Sequence, residues 1–139
     1  MTESHPLKVL IAEDNAIMAD VLRRALQRGG YDVQIARNGL QAAEICRTCD
    51  FDAVVTDYQM PEMDGIEFVK ALRNGDRNSN TPVIFVSGKG LELDSEMLHR
   101  EFDVLTVVFK PFSPQELIGH LQDCLQHRTV SGHTSLGIT

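Results

Sequence analysis

Basic charge is in short supply in this chain. Its 139 residues carry 13 lysines and arginines against 20 aspartates and glutamates, a net charge of 13 − 20 = −7. A chain of that sign is a poor binder of nucleic acid, and its basic residues are scattered rather than gathered on one stretch. Long apolar runs are missing too: nothing approaches the roughly 20 residues a membrane helix needs. The opening Met1-Thr2-Glu3-Ser4-His5-Pro6 has neither the basic nor the apolar region of a secretory signal, so a cytoplasmic location is expected, with no membrane partner. Cysteines number only three, an odd count that suits free thiols better than a disulfide framework. Cys46 and Cys49 form a Cys-x-x-Cys pair, but at the end of a helical pattern and without a second pair to complete a zinc site. They read as two buried or half-buried thiols. What remains is ordinary: 42% hydrophobic and 24% charged residues, enough for one soluble domain with a single core.

Short apolar runs and helical patterns alternate along that domain. Leu7 to Ala12 reads as a buried strand and ends in Glu13-Asp14-Asn15, two acids and a good N-cap type. Ile17, Val21, Leu22, Ala25 and Leu26 recur at helical spacing up to Gly29-Gly30. Tyr31 to Ala36 is a second strand, closed by Asn38-Gly39. A helix over Leu40 to Cys49 follows, with Leu40, Ala43 and Cys46 facing inward. The third strand runs through Ala53-Val54-Val55-Thr56 to Asp57. A turn cluster, Met60 to Gly65, leads to a helix with Ile66, Val69 and Leu72 inward. Pro82 introduces a fourth strand, Val83 to Val86, ending in Ser87-Gly88-Lys89-Gly90. Leu91 to Arg100 is the least regular helix. Val104 to Phe109 is a fifth strand ending at Lys110-Pro111. Ser113, Pro114 and Glu116 then open a last helix in capping-box arrangement, with Leu117, Leu121, Cys124 and Leu125 as its stripe. The domain thus spans 7–126, with a short tail at 1–6 and an aperiodic, flexible tail at 127–139. Five strand-helix units with continuous apolar strands imply a doubly wound α/β fold, a parallel sheet covered on both faces.

In such sheets ligands bind beyond the carboxyl ends of the strands. Glu13 and Asp14, Asp57, Ser87 and Lys110 all fall there, each at the end of an apolar run. Taken singly they have plain readings: Glu13 and Asp14 beside a helix dipole, Asp57 and Ser87 in turns, Lys110 at a solvated strand end. Together they suggest that Asp57 is a nucleophile that takes up a phosphoryl group. Two carboxylates about 5 Å apart repel by roughly 3 kcal/mol at an effective dielectric near 20. Three of them with one lysine leave an excess of about two negative charges, which a divalent ion balances. Oxygen ligands with open positions suit Mg²⁺.

Those residues, with Met60-Pro61, Met63-Asp64-Gly65 and Lys110-Pro111-Phe112, resemble the receiver domain of two-component response regulators over about Leu7 to Gln126. The resemblance implies a flavodoxin-like (βα)5 fold with strand order 2-1-3-4-5. It implies that Asp57 accepts a phosphoryl group from a sensor histidine kinase or a histidine phosphotransfer protein, and that the domain catalyses its own phosphorylation and dephosphorylation but is otherwise no enzyme. Asp14, Asp57 and the backbone carbonyl of Gln59 are then the Mg²⁺ ligands, with Glu13 acting through water. Lys110 pairs with the phosphoryl oxygens, Ser87 reorients toward them, and Lys110-Pro111 is expected to be cis. Output is expected through a downstream protein on the face of the fourth helix, fifth strand and fifth helix, among Glu92, Asp94, Glu96, Thr106 and Gln122.

The chain departs from that family at three points. Val107 stands where an aromatic switch residue is common. Ser87 is followed by Gly88-Lys89-Gly90 rather than a common Ala. Gln59 and Lys89 occupy positions that tune the lifetime of the acyl phosphate. Val107 favours one alternative, a pseudo-receiver that works as an interaction module without phosphorylation. An aspartate-based phosphohydrolase fits less well, because Asp57-Tyr58-Gln59 is not Asp-x-Asp. A nucleotide or flavin binder lacks a Gly-rich phosphate loop.

Overall fold

The computed structural model describes residues 5–88 and 95–138, with side chains described as far as Gln126. Ten elements alternate: β1 (Lys8–Ala12), α1 (Ala16–Arg28), β2 (Asp32–Ala36), α2 (Gly39–Thr48), β3 (Ala53–Asp57), α3 (Gly65–Arg73), β4 (Val83–Ser87), α4 (Ser95–Phe102), β5 (Val104–Phe109) and α5 (Pro114–Ile138). All strand pairs are parallel and the order is β2-β1-β3-β4-β5. This is the doubly wound, flavodoxin-like arrangement expected from the strand-helix alternation. Lys89, Glu92, Leu93 and Asp94, assigned above to tuning, helix or output roles, lie outside the described residues. No helix among the described residues is long and apolar enough to cross a membrane.

Strand alternation divides the core into two layers. Leu10, Ala12, Val54, Phe85 and Val83 pack with Phe68, Val69, Leu72 and Leu98 on the α2-α3-α4 side. Val9, Ile11, Val55, Ile84 and Val86 pack with Leu22, Leu26, Leu117 and Leu121 on the α1-α5 side. Because helices cover both faces, β3 and β4 are buried at every residue, which explains the apolar runs Ala53–Val55 and Val83–Val86 before their polar ends.

Several inward faces differ from the sequence expectation. On α1, Ile17 is 77% and Val21 45% exposed; Ala19, Leu22, Ala25 and Leu26 face the sheet instead. On α2, Leu40 is 41% exposed and Ala42 takes the inner position beside Ala43 and Cys46. On α3, Phe68 is fully buried and Ile66 only half so. The backbone of α5 is helical through 127–138, the stretch read above as an aperiodic tail.

The caps are local and legible. Asn15 accepts from the Met18 amide at 2.9 Å, and Asn38 from the Gln41 amide at 2.8 Å. Ser113 Oγ accepts from the Glu116 amide at 3.1 Å. Inside the turn cluster before α3 lies a full capping box: the Glu67 amide donates to Asp64 Oδ1 at 2.9 Å, and the Asp64 amide donates to Glu67 Oε1 at 3.0 Å.

At the opposite end of the sheet, Asn78 ties three segments together from a left-handed backbone (φ 61°). Its Nδ2 donates to the carbonyls of Cys46 and Cys49 at 2.9 and 2.7 Å. Its Oδ1 accepts from the Phe51 amide at 2.8 Å and from Thr81 Oγ1 at 3.1 Å. Asn78→Ala is expected to lower the free energy of unfolding by about 2–4 kcal/mol in urea titration, through lost bonds and left-handed strain. Asn78→Gly, which removes only the bonds, should lose less; equal losses would sink the strain argument.

None of the three cysteines is in a disulfide. Burial, helped by the neighbouring Cys49, pushes the Cys46 thiol up to about 12. Cys124 is buried and Cys49 half-buried. In the native chain at pH 8, iodoacetamide should therefore alkylate Cys49 first, and reach Cys46 and Cys124 only after unfolding. Mass mapping of the modified peptides reads the order, and early labelling of Cys46 would contradict it.

Candidate functional site

Each conspicuous polar residue sits at the carboxyl end of a strand. Glu13 and Asp14 directly follow β1, Asp57 ends β3, Ser87 ends β4 and Lys110 follows β5. The strand register brings them to one rim. The Tyr58 amide donates to the Val86 carbonyl at 3.1 Å, and the Lys110 amide to the Ser87 carbonyl at 2.7 Å. The Glu13 amide donates to the Ala36 carbonyl at 3.0 Å, which fastens the β1 exit to β2.

Glu13, Asp14 and Asp57 offer carboxylate oxygens that all lie within 4.8 Å of one another. Lys110 Nζ lies 3.3 Å from Glu13 Oε1 and 3.3 Å from Asp57 Oδ2. Glu13 and Asp57 are buried while Asp14 is exposed. Burial, then the nearby Asp57, raises the Glu13 carboxyl above its ordinary value; the Asn15 amide, at 3.1 Å from Glu13 Oε2, and Lys110 oppose this. For Lys110, burial lowers the pKa, but Glu13 and Asp57 together outweigh it and hold the ammonium above its ordinary value. Three carboxylates against one cation leave an oxygen-lined site short of positive charge, and that donor set fits a hard divalent ion.

Glycines make room for this rim. A Cβ on Gly65 would lie 2.4 Å from the Asp57 carbonyl oxygen, and one on Gly39 would lie 2.0 Å from the Met63 carbonyl oxygen. The loops after β2 and β3 thus pack backbone on backbone beside the carboxylates.

The remaining expected residues fall around this cluster. Ser87 is fully buried, and its Oγ donates to the Gly88 carbonyl at 3.3 Å. Gln59 is exposed in the loop after β3. The Lys110-Pro111 peptide is cis. Val107 is half-buried on the α4 side of the sheet, paired in register with Phe85, while Phe109 is 48% exposed. Its facing depends on a bulge: Val83 pairs with Val104 and Ile84 with Thr106, leaving Leu105 as an extra residue in β5. Of the exposed output residues, Glu96 and Gln122 are exposed and Thr106 half-buried.

A five-stranded parallel sheet with an acidic, lysine-bridged cleft at its C-terminal rim defines a doubly wound α/β domain with its polar site at the strand ends. The sequence profile of the response regulator receiver domain matches residues 9–122. The polar-differentiation response regulator DivK from Brucella anthropi is 31% identical over 120 residues, which cover 86% of this chain and 97% of that protein. The receiver domain of a sensor histidine kinase from Pseudomonas aeruginosa, solved with a magnesium ion coordinated in its active site cleft, superposes with a TM-score of 0.78. It is 26% identical, over 87% of this chain and 98% of that one. Other relatives are longer: the chain spans 56% of the probable transcriptional regulator ycf29 from Porphyra purpurea and 52% of the alkaline phosphatase synthesis regulator PhoP from Bacillus subtilis. The chain belongs to the response regulator receiver family, whose members are modules of two-component signalling.

Proposed function

We propose that this chain is a phosphorylation-controlled switch in which Asp57 is the phosphoryl acceptor. The observation that carries this reading is the placement of Lys110 Nζ at 3.3 Å from both Asp57 and Glu13, inside a cluster of three carboxylates. An Asp57 carboxylate oxygen attacks phosphorus, the bond from phosphorus to the donor's imidazole nitrogen breaks, and its electron pair stays on that nitrogen. The chain contributes positioning and charge: Lys110 follows the transferring oxygens, and the buried Ser87 hydroxyl leaves the Gly88 carbonyl to donate to the new group. Asp14, Asp57 and the Gln59 carbonyl are the proposed Mg²⁺ ligands, with Glu13 acting through water; the ion would neutralise the charge gathering on the phosphoryl oxygens. Uptake replaces one carboxylate charge with about two, and that change biases a two-state equilibrium.

The donor is a histidine kinase or histidine phosphotransfer protein, and the output face is α4, β5 and α5, with Glu96, Thr106 and Gln122 on it. Cysteines that form no disulfide fit a cytoplasmic setting. Val107 is half-buried and does not supply an aromatic lever.

Incubation with Mg²⁺ and acetyl phosphate should give a base-labile mass gain of one phosphoryl group on Asp57, absent in Asp57→Asn and after chelation. No gain in wild type, or equal labelling of Asp57→Asn, would sink the reading and favour the pseudo-receiver.

A further inference from the structure

Arg73, the last residue of α3, spends its guanidinium on backbone carbonyls of two other segments. Nε donates to the Phe102 carbonyl at 2.8 Å and Nη2 to that of Asp103 at 3.2 Å. Nη1 donates to the Thr81 carbonyl at 2.7 Å and the Ser79 carbonyl at 3.2 Å. Four of the five N–H groups of one rigid fork are thereby committed. Phe102 and Asp103 close α4, where helix carbonyls have no partner within the helix. Asp103 holds the left-handed position (φ 56°) that usually falls to glycine, and its amide donates to the His99 carbonyl at 3.0 Å. At the same end, His99 Nδ1 lies 3.1 Å from the Val104 carbonyl oxygen. The buried Leu98 is the main apolar anchor of α4.

The other end of α4 is connected differently. Through 89–94 the chain runs from α4 back to Gly88 and to Ser87, at the rim beside Lys110. Ser87 thus lies on the N-terminal side of α4 in the chain, while Arg73 and His99 make their bonds at its C-terminal end.

We propose that Arg73 is a clasp that fixes the C-terminal end of α4 to α3 and to the lead-in of β4, so that α4 responds to phosphoryl uptake by pivoting about that end. The pivot rests on the phosphoacceptor reading above; the clasp itself does not. The arrangement makes α3, which begins beside Asp57, the fixed frame against which α4 turns. A lysine cannot reproduce it, because one ammonium cannot reach carbonyls of both segments in fork geometry.

Hydrogen exchange read by mass spectrometry on the full chain tests both parts. Without a phosphodonor, amides in 99–104 should exchange at least about tenfold faster in Arg73→Met than in wild type, and clearly faster in Arg73→Lys, while amides of β1 and β3 change much less. With Mg²⁺ and acetyl phosphate, wild type should change its exchange in 95–98 but not in 101–104, and in Arg73→Met the change should spread to 101–104. Unchanged exchange at 99–104 in both variants, or a uniform rise that includes β1 and β3, overturns the clasp. An equal response along the whole of α4 in wild type overturns the pivot and leaves the clasp standing. The mass of Asp57 is read in the same samples. No phosphoryl gain there overturns the phosphoacceptor reading and the pivot together, while the unphosphorylated comparison still decides the clasp. If Arg73→Met does not fold, Arg73→Lys carries the comparison.

Discussion

Alanine at Gly39 or at Gly65 is expected to destabilise this domain by about 3 kcal/mol or more, a fall of roughly 10 °C in Tm for a chain of this size. The cause is space, since neither glycine is among the positive-φ residues. At Gly65 the added carbon meets the Asp57 carbonyl oxygen at 2.4 Å and the Phe85 ring at 2.7 Å. At Gly39 it meets the Met63 carbonyl oxygen at 2.0 Å. None of these three neighbours is the free end of a flexible side chain: one is a strand carbonyl, one a buried ring and one a loop carbonyl, so relief requires backbone movement. That movement falls on the loop joining Asp57 to α3, so Mg²⁺ affinity should fall along with stability. Gly119→Ala is the contrasting case. Its Cβ meets nothing within 4 Å on an exposed helical position, and it should raise stability by up to about 1 kcal/mol. Thermal unfolding of the three variants in one buffer reads the set. A wild-type Tm for Gly39→Ala or Gly65→Ala would mean that the loops do not pack as closely as described.

Lys110→Met is expected to cut phosphoryl uptake by at least about a hundredfold, the range for losing one charge-stabilising group at a reacting centre. It should also destabilise the metal-free domain by about 1–3 kcal/mol. The stability loss follows from what remains: Glu13 and Asp57 are buried beside each other, and the cation 3.3 Å from both is gone. Adding Asp57→Asn to Lys110→Met should recover most of that stability, because one of the two carboxylates is then neutral, yet uptake should fall to zero. Saturating Mg²⁺ should likewise raise the stability of Lys110→Met, by about 1.4 kcal/mol at ten times its dissociation constant. In wild type the sign with pH follows from the raised Lys110 pKa. Its contribution is complete below the ordinary lysine value of 10.5 and is lost as pH rises through the higher folded value. Urea titrations with and without Mg²⁺, beside labelling with acetyl phosphate, separate the two roles. A double variant no more stable than Lys110→Met would show that carboxylate repulsion is not the cause.

The strand-helix order, the parallel sheet and the rim of Glu13, Asp14, Asp57, Ser87 and Lys110 were legible in the sequence because each rests on local pattern plus one topological rule. A buried strand is an apolar run, and its carboxyl end is where a polar residue stands out. The Asp64-x-x-Glu67 capping box was equally local and lay hidden inside what reads as a turn cluster. Other features depend on distant partners. Nothing around Asn78 announces that its amide will bridge Cys46, Cys49 and Phe51, and nothing around Arg73 says which carbonyls its fork will reach. Ile17 and Leu40 are exposed although their spacing matches that of buried neighbours, because apolar spacing alone does not record which side of a helix is covered. Gly39 and Gly65 read as turn glycines after a strand, and only the close approach of other backbone gives them their steric role.

The extra residue in β5 separates two demands on a single strand. Val104, before it, packs into the layer that holds Leu98, whereas Val108, after it, packs against α5 and leads to Lys110. Without Leu105, strict alternation would lock the facing of the first part to that of the last, and any change suited to one would misdirect the other. With it, β5 has a phase break: Val104 faces the α4 layer and Val108 the α5 layer, although they stand an even number of positions apart.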